Sequence, residues 1–225
     1  MKRNSFVVIP LIFLSMSCRS VPDRYFSDFP RGDDIVLEKP ATKIDVDLMK
    51  AFGLRKSTKE FSEKEVSIKE LSTILWSANG INREDGKRTA PALFGMEVIR
   101  IYVLSNSGIY LYDATQNTLL SRSTKDAKKD VGSKRGGAEG TETASLVLLL
   151  TGDPSMIPDF MSKDMRLNAA YATVGTIGQN VYLIANALGL KTRLVGALSV
   201  ERIRGCLKLS KDEIPLYIMP LGYGK

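Results

Sequence analysis

The pattern of apolar residues is clearest over residues 164–190, where it has helical spacing. Apolar side chains recur every three or four residues between 170 and 188, and no charged side chain follows the first turn. Such a helix needs cover on most sides, either as a core helix or as one that also lines a ligand site or a dimer interface. Gly175 and Gly178 each lower helix stability by about 1 kcal/mol relative to Ala, which indicates close approach of another group.

Shorter patterns predict the remaining helices and strands. Ser67 and Glu70 form a capping-box pattern at the start of one helix. Residues 121–142 are charged and glycine-rich, which predicts a loop with at most one short helix. A hairpin followed by strands separated by helices favours an α+β fold around one mixed, mostly antiparallel sheet. Helices are predicted at 46–55 after Asp45, at 68–78 and from Ser199 onward, and strands at 98–104, 109–113, 146–150, 192–198 and 215–221.

Composition narrows the possible functions. The chain has 225 residues and 44% hydrophobic content, which fits one large domain, expected at residues 44–225. The net charge of +7 is dispersed, so nucleic-acid binding is not expected. The chain has no histidine, which excludes histidine-dependent triads and removes the commonest metal ligand, and no metal site is expected. Cys206 is expected to be a buried small hydrophobe, without a disulfide partner in the mature protein.

The first 43 residues have the features of an export signal and a tether. Basic Lys2 and Arg3 precede a short apolar stretch that ends in Ser17 and Cys18. The stretch is too short for a transmembrane helix and resembles a bacterial lipoprotein signal, with residues 1–17 removed. Cys18 would then carry a lipid and residues 18–43 would tether the domain to a membrane of the cell envelope, facing the periplasm.

Four motifs occur in an order that resembles flavin-dependent nitroreductases. The first is Arg55-Lys56-Ser57-x-Lys59-x-Phe61, and the others lie at 76–91, 170–190 and 218–225. The second is similar to a bacterial, often exported, branch of that family. The resemblance implies a nitroreductase-like fold, a homodimer with the long helix at its interface, and FMN as cofactor. It also implies hydride transfer through flavin N5, for which the sequence names no catalytic acid or base.

The resemblance also assigns roles to particular residues. A phosphate dianion attracts charge-assisted donors, which the first motif supplies from one short segment. The loop after Ala90 would lie against the flavin ring and come partly from the second subunit, and a strand-to-helix corner would offer backbone N–H groups to the ring. The implied contacts are Arg55, Lys56, Ser57 and Lys59 at the phosphate, Pro91, Ala92, Leu93 and Gly95 at the ring, Val195 and Gly196 at the corner, and Gly222 and Lys225 at the phosphate end.

Some residues depart from the family pattern. Ala92, Gly95 and Glu97 stand where the family has Ser, Asn and Gln, and Thr173 stands where relatives tend to have an acid. A carboxylate at Glu97 would disfavour an anionic reduced flavin by like-charge repulsion. Two alternatives therefore stand beside the enzyme: a degenerate member that binds a flat ligand without turnover, and a dimeric lipoprotein scaffold. Free NAD(P)H is not expected outside the cytoplasm, so the electron donor is left open.

We expect Cys18→Ser to block lipid attachment, because the thiol is the acceptor that the leader pattern implies. The variant should accumulate as a precursor that does not incorporate a radiolabelled fatty acid, whereas the parent chain should be labelled. Normal processing of the variant would indicate an ordinary secretory signal.

Overall fold

The computed structural model describes residues 32–133 and 138–225, without the side chain of Phe94. The predicted signal peptide, Cys18 and the first half of the tether lie outside the described residues. Within these residues, no helix is both long enough and apolar enough to cross a bilayer.

The fold is α+β, as predicted, and is built on one seven-stranded sheet with the order β1-β4-β3-β2-β5-β7-β6. Every neighbouring pair is antiparallel, so the sheet is not mixed. Parallel pairing in the described chain is limited to one bridge, between Ser57 and Thr192. The strands are β1 (Ile35–Val36), β2 (Ile99–Ser105), β3 (Gly108–Asp113), β4 (Thr118–Ser123), β5 (Leu146–Gly152), β6 (Lys191–Thr192) and β7 (Ile214–Gly222).

Strand β5 lies at the centre of the sheet, and all seven of its residues are buried. Its neighbours β2 and β7 satisfy its backbone groups on both sides. A strand covered on both faces can be apolar at every position, which explains the uninterrupted run Leu146–Leu150.

Among the described residues, four α-helices accompany the sheet: α1 (Leu48–Leu54), α2 (Ile68–Asn79), α3 (Lys163–Ala187) and α4 (Val200–Cys206). The predicted capping box begins α2, with both of its hydrogen bonds formed. The α1 helix is capped by Asp47, two residues later than predicted, because its carboxylate accepts the N–H groups of Met49 and Lys50.

The 25-residue α3 is the predicted long helix. Its apolar stripe includes Ala170, Val174, Ile177 and Val181, all fully buried in the main core. Within one subunit a second stripe along the helix is exposed, as expected for a helix that also lines an interface or a ligand site. The exposed residues of this stripe are Asn168, Tyr171, Ala172, Gly175 and Gln179.

Three other expectations are corrected by the sheet. Strand β4 occupies part of the predicted loop at 121–142; its alternation was missed because Ser121, Arg122 and Ser123 are polar. The predicted strand at 192–198 is reduced to β6 and a single bridge from Val195 to Ile218. In the predicted tether, Ile35 and Val36 pair with β4 and form an edge strand of the domain.

Candidate cofactor site

The basic segment after α1 is attached to the sheet edge formed by β6 and β7. The Thr58 N–H donates to the Thr192 carbonyl at 3.2 Å, and the Ser62 N–H donates to the Tyr223 carbonyl at 2.9 Å. Between these two bonds, Phe61 forms a bridge with Gly224. The backbone of residues 57–62 is therefore fixed along this edge.

The side chains of this segment could hold a phosphate group. Arg55, Lys56, Ser57 and Lys59 are all exposed. In the described part of the chain, none of the three cations forms an ion pair with a carboxylate. Three available cations and one hydroxyl from five consecutive positions are a donor set that fits a phosphate dianion.

Tyr182 of α3 connects this segment to the next part of the chain. The Arg55 guanidinium lies over the Tyr182 ring, 5.4 Å from its centroid. The Ser57 Oγ is 2.8 Å from the Tyr182 Oη, and the Leu194 N–H donates to the same Oη at 2.8 Å. Tyr182 was not predicted as a site residue. Its only sequence signal is a hydroxyl within an apolar helix, which needs a partner when buried.

The predicted corner at Val195 and Gly196 follows Leu194 directly in the chain. The Val195 N–H donates to the Ile218 carbonyl at 2.9 Å, so it is not available to a ligand, contrary to the expectation. Gly196 is exposed, and its N–H has no partner among the described residues. A Cβ at Gly196 would lie 3.1 Å from the Tyr217 ring, which explains the glycine by close packing.

The two predicted residues at the C-terminal end differ in their surroundings. Gly222 is buried, and a Cβ there would lie 3.2 Å from both the Phe61 ring and the Ser145 nitrogen. Its glycine is thus explained by packing against the basic segment. Lys225 is exposed at the end of the chain and is available to an anion.

The predicted ring loop has no polar contact with the basic segment among the described residues of a single chain. Leu93–Gly95 form one 3₁₀ turn beside α3, in which Leu93 and Gly95 are exposed; Pro91 is also exposed and Ala92 is half-buried. No hydrogen bond or ion pair joins residues 91–95 to residues 55–59 among those described. One subunit therefore joins the basic segment to the corner through hydrogen bonds of Tyr182. No such contact includes the ring loop.

Glu97 does not present an unpaired charge. Its carboxylate lies 2.7 Å from the Arg88 Nε. The Arg88 Nη1 also donates to the Asn79 carbonyl at 2.9 Å, which anchors the guanidinium to the end of α2. The repulsion expected from Glu97 toward an anionic ligand is therefore offset by a neighbouring cation.

A separate cavity of about 470 Å³ lies between α1, α2 and α3. It is mostly apolar and contains none of the predicted site residues. The residues that line the cavity are Ile44, Val46, Leu48, Ala51, Trp76, Ser77, Asn82, Thr89, Asn180, Leu183, Ile184 and Ala187.

In the described chain, no group of three or more His, Cys, Asp or Glu side chains could hold a metal.

Residues 54–223 match the family model described as the nitroreductase family. This match includes the basic segment, α3, β6 and β7. The chain belongs to the nitroreductase family. It is 27% identical over 197 residues to a protein of Methanocaldococcus jannaschii named as a nitroreductase, covering 85% of this chain and 98% of that one.

Solved structures of nitroreductases have the same fold. A protein of Ralstonia eutropha JMP134 named as a nitroreductase superposes with a TM-score of 0.79 and 29% identity, over 91% of this chain and 99% of that one. An FMN-dependent nitroreductase of Clostridium difficile R20291 superposes with a TM-score of 0.57 and 17% identity, over 79% of this chain and 87% of that one. The predicted nitroreductase-like fold is confirmed.

Proposed function

We propose that this protein is an FMN-dependent oxidoreductase. The observation that carries the proposal is the basic segment at Arg55–Lys59, fixed to the β6–β7 edge beside the Leu194–Gly196 corner, in a chain that belongs to the nitroreductase family. Bound FMN would supply hydride transfer through its N5 atom.

The chain's own residues would bind and orient the cofactor. Arg55 and the lysines at 56 and 59 would neutralise the phosphate, with the Ser57 hydroxyl as a further donor. The Gly196 N–H would donate to the polar edge of the flavin ring. Pro91, Ala92, Leu93 and Gly95 would cover the ring with mostly apolar atoms and exclude water, and Gly222 and Lys225 would lie at the phosphate end.

The binding site would be completed by a second copy of this chain. In the described part of one subunit no polar contact joins the ring loop to the basic segment, while α3 leaves Ala172 and Gly175 exposed along one side. A twofold contact through this side would present the same patch from both subunits. Ala169, which the sequence also suggested for this contact, is only 1% exposed and belongs to the core of its own subunit.

The physiological setting is also a proposal. The leader and Cys18 support a lipid anchor on a membrane of the cell envelope with the domain in the periplasm. A donor other than free NAD(P)H would then reduce the flavin, or an exported substrate would be oxidised by it. The acylation of Cys18 is tested by the Cys18→Ser variant.

A member that binds flavin without turnover is the second candidate. It is favoured by Ala92, Gly95 and Glu97, because they lack the hydroxyl and amides that the family pattern would place near the flavin. Binding with no reoxidation by any acceptor would support it.

The redox function predicts a coloured protein that cycles between two states. The chain expressed without residues 1–18 should purify with the visible absorption of oxidised flavin, lose it with dithionite and regain it when an anaerobic nitroaromatic acceptor is added. Retention of the bleached spectrum with acceptors of different potential would contradict an oxidoreductase. A colourless protein that FMN does not restore would contradict flavin binding altogether.

We expect Arg55→Ala to weaken FMN binding more than Lys56→Ala. An Arg fork can hold phosphate at two points, and Arg55 is already stacked on Tyr182. Loss of a charge-assisted contact of about 1.5–3 kcal/mol corresponds to roughly tenfold or more in Kd. Fluorescence titration of the apoprotein measures both variants. Equal affinities for the Arg55→Ala variant and the parent would refute the phosphate assignment.

Gly175→Leu should produce a folded monomer without bound flavin. Within one subunit a Cβ at Gly175 would meet nothing within 4 Å, so the new side chain would clash only across the dimer contact. Overpacking of this kind would destabilise the dimer by about 1–3 kcal/mol, and twofold symmetry would place the same clash at two positions. Light scattering with absorbance measures mass and colour together.

Gly205→Leu on α4 is the matched control, since a Cβ there also meets nothing within 4 Å. It should leave both mass and colour unchanged. A yellow dimer for Gly175→Leu would remove this side of α3 from the interface.

A further inference from the structure

The hydroxyl of Tyr182 has a defined role in its hydrogen-bond network. The Leu194 N–H can only donate, so the Tyr182 Oη accepts that bond with a lone pair. The remaining contact, 2.8 Å from the Ser57 Oγ, is then available for the tyrosine proton. With Tyr182 as donor and Ser57 as acceptor, the Ser57 proton is left to be donated elsewhere.

We propose that Tyr182 is a positioning residue that orders Arg55 and Ser57 for a phosphate group and connects them to the Leu194–Gly196 corner. The proposal rests on the proposed FMN function and adds to it a residue that does not itself touch the ligand. The ring of Tyr182 acts on Arg55, and its hydroxyl acts on Ser57 and on the backbone of Leu194.

The positioning matters because the cationic side chains are otherwise free to move. Arg55 follows the last residue of α1, and its side chain is exposed. Stacking over an aromatic face restricts its rotamers before a ligand arrives. Side chains that are already ordered lose less entropy on binding, so the ligand binds more tightly.

A core tyrosine that only satisfies its own hydroxyl would have a different effect. Such a residue would influence the whole site equally, through the stability of α3 and β6. A positioning role for Ser57 affects only the phosphate. FMN and riboflavin separate these roles, because they share the ring and differ in the phosphate.

The experiment compares the affinities of FMN and riboflavin for the apoprotein by fluorescence titration. Tyr182→Phe keeps the ring under Arg55 and removes only the hydroxyl. Loss of the hydroxyl breaks its hydrogen bonds to Ser57 and Leu194, and it should weaken FMN by about three- to tenfold and riboflavin by less, because only FMN has the phosphate that Ser57 would contact. Tyr182→Leu, which also removes the stacked ring, should weaken FMN further.

The Ser57→Ala variant tests the proposal independently of the Tyr182 variants. The Ser57 side chain is exposed, so its removal should not prevent folding. It should reduce the preference for FMN over riboflavin. The double variant Ser57→Ala with Tyr182→Phe should reduce the preference for FMN over riboflavin no further than Ser57→Ala alone, because both changes break the Ser57–Tyr182 hydrogen bond on which that preference depends.

Tyr102→Phe is the matched control. The Tyr102 hydroxyl is also buried and donates to the Glu213 carboxylate at 2.9 Å, on a strand that carries no predicted site residue. Burial raises the pKa of Tyr102 to about 12, so this hydroxyl is a donor at neutral pH. The control should leave both affinities unchanged.

Each remaining outcome contradicts the proposal. Equal weakening of FMN and riboflavin by Tyr182→Phe would assign Tyr182 to the core alone, and no weakening would show that its hydroxyl is not used. An unchanged FMN preference in Ser57→Ala overturns the proposal even if the Tyr182 variants do not fold. A parent protein that binds riboflavin and FMN equally would refute the phosphate site, whereas one that binds neither would refute the proposed function itself.

Discussion

The packing of α3 against the sheet is the constraint on which the candidate site depends. Ala170, Val174, Ile177 and Val181 are each fully buried in the main core that α3 shares with the sheet and α2, and burial of a Val or Ile side chain contributes about 1.5–3 kcal/mol. After the helix, Gly189 has a φ of +76°, which favours glycine and turns the chain directly into β6. The register of α3 therefore fixes where β6 and the following corner lie.

Gly178 shows how closely this arrangement is packed. A Cβ at this position would lie 3.4 Å from the Leu194 side chain, so the helix and the corner approach each other at van der Waals distance. That approach brings the Leu194 N–H to the Tyr182 hydroxyl, which in turn reaches Ser57. The helix core, the corner and the basic segment are thus one connected unit, and the ring loop at residues 91–95 is the part that a second subunit would supply in the proposed dimer.

The sequence predicted the elements whose physical signal is local. The capping box at Ser67, the uninterrupted run of β5 and the period of α3 depend on nearby residues, and the structure has all three. The helical spacing of apolar residues in α3 could not show that one side of the helix is exposed in a single subunit. Strand β4 was missed because half of it is polar and because β1, one of its two pairing partners, lies far away in the sequence. Tyr182 escaped notice because its partners lie 125 and 12 residues away.

A crystal structure of the protein with FMN tests the account most directly, since it locates the ligand among the candidate surfaces. The account predicts the phosphate within hydrogen-bond distance of Arg55 and Ser57, and the ring along the Leu194–Gly196 corner beneath residues 91–95 of a second subunit. FMN in the apolar cavity between α1, α2 and α3 would contradict it, as would a phosphate that contacts neither Arg55 nor Ser57.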